Sequence, residues 1–295
     1  MSAYLLVLLG VVMVSYSGPL VKAGLLAGAN PASMALCRML LSAALMLPLM
    51  CIRRKGRPAP IAGLKRLTLR QWLWSLAASG FLAVHYLTWM TSLSATSTFA
   101  SVALVCTQPL FVAAVSGWLL KERIPRRALP GAVVALIGAA LIGLNSITGQ
   151  SGDIGGDVLA LLGAACMAGH WLCNRYARRS VDAEPFALLL YAQTAALLAL
   201  ALPFTGGFCM TGASWLHALG LAAGCTILGH LMFTIALGKV SATVVSFAIL
   251  GEPVGAMLWS LLFFGEHPTP LLLAGGATVL VGLALYLGRS QGRCP

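Results

Sequence analysis

The chemistry available to this sequence rests on a few polar residues set inside long apolar runs. Glu252 stands within the apolar stretch Ser241 to Phe264, where an ionised carboxylate costs free energy unless a partner, water or a proton neutralises it. Such a group can carry a proton, deprotonated in one state and protonated in another, or it can make a polar contact to a neighbouring helix. Pro253 follows it, and the pair Gln108-Pro109 sits at a similar depth in the stretch Ser97 to Leu120. Each proline lacks an amide hydrogen, which releases the carbonyl four residues earlier, at Val105 or Ile249, as an acceptor. Two readings stand: a break that helps build a binding site, or a packing kink alone.

Arg38 lies about two turns into the stretch Pro31 to Ile52. It either faces an internal cavity, pairing with Glu252 or with a substrate carboxylate, or snorkels to the headgroups, the preferred reading for Lys22. His85 and Trp89 are one turn apart, His170 and Trp171 are adjacent, and His230 follows Gly229. These residues combine polar handles with aromatic walls and suit an amphipathic small molecule, though each serves equally as a satisfied packing residue. No histidine pair has the spacing to share a metal on one helix, and neither a metal nor a cofactor is expected. Nor do a nucleophile and a base converge, as an enzyme would require. A membrane-embedded enzyme acting on lipid or another hydrophobic substrate is the alternative reading.

The elements that position these residues follow from composition. The chain has 295 residues, 59% of them hydrophobic and 9% charged, with a mean hydropathy of +0.92. A soluble domain carries roughly 25% charged residues, so an all-α integral membrane protein is expected. The spans read as Tyr4 to Leu25, Pro31 to Ile52, Arg70 to Thr91, Ser97 to Leu120, Arg127 to Ile147, Asp157 to Ala177, Pro185 to Pro203, Ser214 to Leu237, Ser241 to Phe264 and Pro268 to Gly288. These make ten transmembrane helices with no room for a soluble domain. The eight cysteines are scattered and mostly inside spans, where they act as small hydrophobes.

A net charge of +12 in a soluble protein points to nucleic acid, but here the basic residues fall in short loops and no nucleic-acid partner is expected. Lys and Arg cluster in the second, fourth and sixth loops, with Lys239 in the eighth and Arg289 and Arg293 in the tail, while the odd-numbered loops have none. By the positive-inside rule both termini are cytoplasmic in a multi-pass protein of the cell membrane. Its surroundings are the lipid bilayer. Trp72, Trp74 and Trp215, near span ends, read as interfacial anchors.

Shifting the sequence on itself by 144 positions superposes Gly80 on Gly224, Ser97 on Ser241, Pro109 on Pro253, Ser116 on Ser260, Glu122 on Glu266, Gly131 on Gly275 and Gly138 on Gly282. Pro and Glu are scarce here, with fourteen prolines and seven acidic residues in all, so these matches carry weight. Lys22 and Arg175 correspond at a slightly larger shift. The repeat unit is five helices, an odd number, so the second copy enters the membrane from the opposite face. Inverted repeats of this kind support alternating access around a central site. Gly131 to Gly143 and Gly275 to Gly288 place small residues along a helix, for helix packing or a homodimer surface. Glu122 and Glu266 lie at span ends and read as structural.

The run Ala95 to Arg123, with Thr107-Gln108-Pro109-Leu110 and Lys121-Glu122-Arg123, together with Gly251-Glu252-Pro253-Val254 and Gly265-Glu266, resembles the EamA family of the drug/metabolite transporter superfamily. The resemblance implies two EamA domains, placed at residues 1–148 and 149–295. It also implies export or exchange of amino acids, other small metabolites or drugs, often coupled to an ion gradient. The substrate site would then draw on Arg38, His85, Trp89, Gln108, His170, Trp171, His230 and Glu252, with Glu252 as the proton-coupling candidate.

Overall fold

The computed structural model describes residues 3–52, 64, 67–119, 126–148, 152–177, 183–229, 232, 248 and 250–290, all helical or connecting. The helices are α1 (Ala3–Ser15), α2 (Ser17–Leu26), α3 (Pro31–Ile52), α4 (Leu69–Ala95), α5 (Thr98–Val105), α6 (Gln108–Leu119), α7 (Leu129–Ile147), α8 (Ile154–Ala177), α9 (Ala183–Ala201), α10 (Gly212–Gly220), α11 (Glu252–Phe264) and α12 (Pro270–Ser290). Among the described residues, seven helical stretches are long and apolar enough to cross a membrane, and α5–α6 and α11 are shorter apolar pieces. The 27-residue α4 occupies the place of the third expected span.

Local sequence sets the helix ends. Asn30 Oδ1 accepts from Ser33 N at 2.7 Å to cap α3, whose first residue is Pro31. Thr68 and Gln71 form a reciprocal capping box at the start of α4. Ser97 accepts from Ala100 N at 3.2 Å to open α5, and Thr211 accepts from Ser214 N at 3.2 Å to open α10. Gly265 ends α11 at a φ of 62°, a left-handed conformation that favours glycine. A stretch of wider π-helical turns, Leu221–Gly229, continues α10, and Thr226 Oγ1 donates there to Leu221 O, five residues back, at 3.0 Å.

The prolines do more than kink their helices. The expected fourth span is two helices, α5 and α6, separated by a turn at Cys106-Thr107, and Pro109 is the second residue of α6. At the repeat-equivalent position a turn at Leu250-Gly251 precedes α11, and Pro253 is its second residue. A proline is tolerated at a helix start because the missing amide has no intrahelical partner there. Two helix starts thus stand within apolar stretches, the break reading rather than the packing kink, and such breaks persist in membranes only where protein or a cavity covers them. The first span is also divided, at Tyr16 ahead of Pro19.

The inversion of the halves is visible in the pairing of α7 with α12. A Cβ on Gly131 would collide with Gly282 O and the Tyr286 backbone, and one on Gly138 with Gly275 O and the Val279 backbone. These contacts make the two helices antiparallel. The 144-residue shift converts one contact into the other with the partners exchanged, as a two-fold axis between the helices requires. The glycine faces read as packing or dimer surfaces are therefore used within the chain, where they allow close backbone approach.

Polar contacts sort the loops by end. Asn30 Nδ2 donates to Gly207 O at 2.6 Å, Thr211 Oγ1 to Ala27 O at 2.8 Å, and Asp153 N to Ala95 O at 3.1 Å. Lys22 pairs with Glu266. All of these join odd-numbered loops or the helix turns beside them. At the opposite end Arg127 Nε, after the fourth loop, donates to Arg289 O at 3.0 Å.

Candidate functional site

Arg38 does not snorkel. It is 6% exposed, its Nε donates to Thr226 Oγ1 at 3.1 Å, and its terminal nitrogen donates to Ser17 Oγ at 3.2 Å. The guanidinium also lies over the Tyr86 ring, 4.9 Å from its centroid, a cation–π contact in a low-dielectric setting. Four elements meet there: α2, α3, α4 and the π-helical stretch. The hydroxyl of Thr226 donates to Leu221 O and accepts from Arg38, so both of its roles are filled.

Glu252 is the first residue of α11, at the second of the paired breaks, and is partly buried. Gln108, the first residue of α6, keeps a buried Oε1 without a hydrogen-bond partner among the described residues, and the same holds for Trp89 Nε1. A buried amide oxygen and a buried indole N–H left open are polar groups a ligand can satisfy.

The two histidines form a clasp between α4 and α8. His85 Nδ1 on α4 contacts Gly163 O of α8 at 2.9 Å, and His170 Nδ1 on α8 contacts Ala78 O of α4 at 2.9 Å. A carbonyl can only accept, so Nδ1 carries the hydrogen in both rings. His85 stacks on Trp89 at 5.8 Å with planes 13° apart. Trp171 points the other way: it is 45% exposed, on the outer face of α8, and meets His170 edge-on. His230 lies outside the described residues.

Of the expected site residues, Arg38, Gln108 and Trp89 thus present buried polar atoms to the interior, and Glu252, partly buried, stands at the start of α11. His85 and His170 bind backbone across one helix pair, and Trp171 faces outward. Sequence reading missed Ser17, Tyr86 and Thr226, which hold the Arg38 side chain. Ser17 and Thr226 are common small residues with no motif, and a pattern search has nothing to find in them.

The profile of the EamA-like transporter family matches the chain twice, over residues 1–144 and 154–288. The chain belongs to this family. It is 26% identical over 196 residues to the "Probable terminal-alkyne amino-acid exporter" of Streptantibioticus cattleyicolor, covering 64% of each chain. It is also 26% identical over 191 residues to the "Probable amino-acid metabolite efflux pump" of Salmonella typhimurium, covering 60% of this chain and 62% of that one. The matched region therefore spans somewhat less than two thirds of these relatives. A protein crystal structure superposes on 99% of both chains with a TM-score of 0.65 at 18% identity, a likeness of fold. The two family matches flank the loop between α7 and α8.

Proposed function

We propose that this protein is a secondary transporter that exports or exchanges amino acids or related small metabolites across the cell membrane by alternating access. Two opposed halves, residues 1–148 and 149–295, move about a central site, with both termini cytoplasmic. The observation that carries this reading is the pair of helix starts at Gln108-Pro109 and Glu252-Pro253, with the buried Arg38 held by Ser17 of its own half and by Thr226 of the other.

In this reading Arg38 recognises the substrate carboxylate, since its planar fork can exchange a hydroxyl partner for a carboxylate oxygen. Gln108 Oε1 accepts from an ammonium or amide, and Trp89 supplies an indole donor beside an aromatic wall. Glu252 takes up and releases a proton as the site is exposed to one side and then the other, which links substrate movement to the proton gradient. The names of the two relatives, both amino-acid exporters or efflux pumps, support the substrate class.

Purified protein in liposomes, screened against a panel of labelled amino acids with and without a pH gradient, tests the proposal. Uptake of at least one amino acid, stimulated by the gradient, is the expected result. Failure of every solute to move, together with a measurable lipid-directed activity, would replace the transporter with an enzyme.

A further inference from the structure

A second polar cluster lies apart from Arg38 and Glu252, at the end of the bundle that carries the odd-numbered loops. A cavity of about 350 Å³ opens there, lined by Lys22, Thr96, Ser97, Phe99, Ser260 and Glu266 among others. This volume is at the lower end of the range for small-molecule sites. Lys22 Nζ of α2 forms an ion pair with Glu266, in the turn between α11 and α12. The other carboxylate oxygen of Glu266 accepts from Thr98 N, at the start of α5, at 3.2 Å. One carboxylate thus joins the two halves, in keeping with the structural role expected of Glu266, while Lys22 pairs with it instead of snorkelling to the headgroups.

Ser260 indicates that the cavity is built to hold something. It is 1% exposed, lines the cavity, and its Oγ has no hydrogen-bond partner among the described residues. A serine in a helix commonly returns its hydroxyl to a carbonyl one turn back, as Ser15 does to Val12 O at 2.8 Å. Ser260 leaves its hydroxyl open in a buried place, where an unmade hydrogen bond is costly. Phe99, Met257 and Leu272 add an apolar wall beside these polar groups.

We infer that this cavity is a second binding station for the transported zwitterion, an α-amino acid or close derivative, on the side that bears the odd-numbered loops. The inference rests on the transporter reading and extends it. The ligand carboxylate takes Lys22 and the hydroxyl of Ser260, its ammonium takes Glu266, and its side chain lies on Phe99 and Met257. Replacing one internal ion pair by two ligand pairs leaves no charge unmatched. A free amine or a free acid would strand Lys22 or Glu266, so the cavity selects the zwitterion. Both residues keep access to water, at 21% and 23% side-chain exposure, so the pair opens at small cost. Ser260 follows Glu252 by two turns of α11, which sets the station about 12 Å along the helix from the central break.

The test is exchange in liposomes with labelled L-leucine presented on the side of the odd-numbered loops, with isoamylamine and 4-methylpentanoate as competitors. Lys22→Met and Glu266→Gln are each expected to raise the leucine KM on that side by about tenfold while leaving the opposite side unchanged. Isoamylamine and 4-methylpentanoate should compete weakly with the unaltered protein; isoamylamine competition should rise in Lys22→Met alone and 4-methylpentanoate competition in Glu266→Gln alone, where no charge is left stranded, and Ser260→Ala should weaken leucine by about threefold. The exchanged pair Lys22→Glu with Glu266→Lys keeps the ion pair but not the acceptor for Thr98 N, so the Tm of every variant in detergent is the control for folding. A leucine KM within about twofold of wild type in both single variants overturns the station. So does a loss of leucine affinity with no rise in competition by either analogue, which makes the pair a structural tie. If no labelled amino acid in a wider panel moves through the unaltered protein, the transporter reading itself falls.

Discussion

Arg38 Nε of α3 donates to Thr226 Oγ1 at 3.1 Å, so a buried cation of the first half is held by a hydroxyl of the second. A bond between the halves at this depth must break or re-form if the halves rock. The partner that replaces Thr226 is then the natural place for a substrate carboxylate.

Replacing Arg38 therefore separates recognition from folding. Arg38→Met should lower kcat/KM for substrates that carry a carboxylate by about ten- to a hundredfold, since a hydrogen bond to a charged group contributes about 1.5–3 kcal/mol. The matching amino alcohols should lose far less. Arg38→Lys keeps the charge but cannot reach Thr226 and Ser17 through one rigid fork, and should recover little. Exchange rates in liposomes for an amino acid and its alcohol read out both. Equal losses for the two substrates would assign Arg38 to packing.

Glu252 is tested by removing its charge. Glu252→Gln should retain downhill exchange but lose accumulation driven by a pH gradient, because the amide cannot pick up and release a proton. The measurement is substrate accumulation against pH gradient for the two proteins side by side. A variant that stays fully active with an unchanged pH dependence would leave Glu252 with a structural contact only.

The α7–α12 crossing predicts a contrast between two glycines of one helix. Gly138→Leu drives a side chain into the Val279 backbone and should destabilise the protein by about 3 kcal/mol or more, seen as a lower Tm in detergent. Gly143 has nothing within 4 Å of its would-be Cβ, so Gly143→Ala should be neutral or stabilise by up to about 1 kcal/mol. Similar Tm values for both variants would refute the close crossing.

The α4–α8 clasp predicts stability effects from both histidines. His85→Ala and His170→Ala each remove a buried side chain and a hydrogen bond to backbone, and each should cost about 1–3 kcal/mol in Tm-derived stability. His170→Ala should leave the substrate KM unchanged. His85→Ala also removes the stacking partner of Trp89, so a shift in KM there alone would place Trp89 at the substrate.

The broad architecture was legible because lipid imposes strong rules. Apolar length marks the helices, the basic loops mark their sides, and Pro109 and Pro253 recur at a fixed shift because the same fold was built twice. That these prolines open new helices instead of kinking continuous ones was not legible, since a missing amide permits both outcomes and the surrounding packing chooses. Lys22 and Glu266 were read separately because they are 244 residues apart, and only the antiparallel halves bring them to one end.

Sequence alone determined an all-helical membrane protein, its doubled and inverted plan and the shortlist of polar residues within its spans, since each follows from local composition, periodicity and counting. Tertiary structure decided which way those residues face. Arg38 was turned inward by Thr226, Ser17 and Tyr86, the two histidines were tied to backbone across α4 and α8, and Trp171 was left outside. The reason is that in hydrocarbon a polar side chain goes where partners exist, and those partners come from segments far away in the chain.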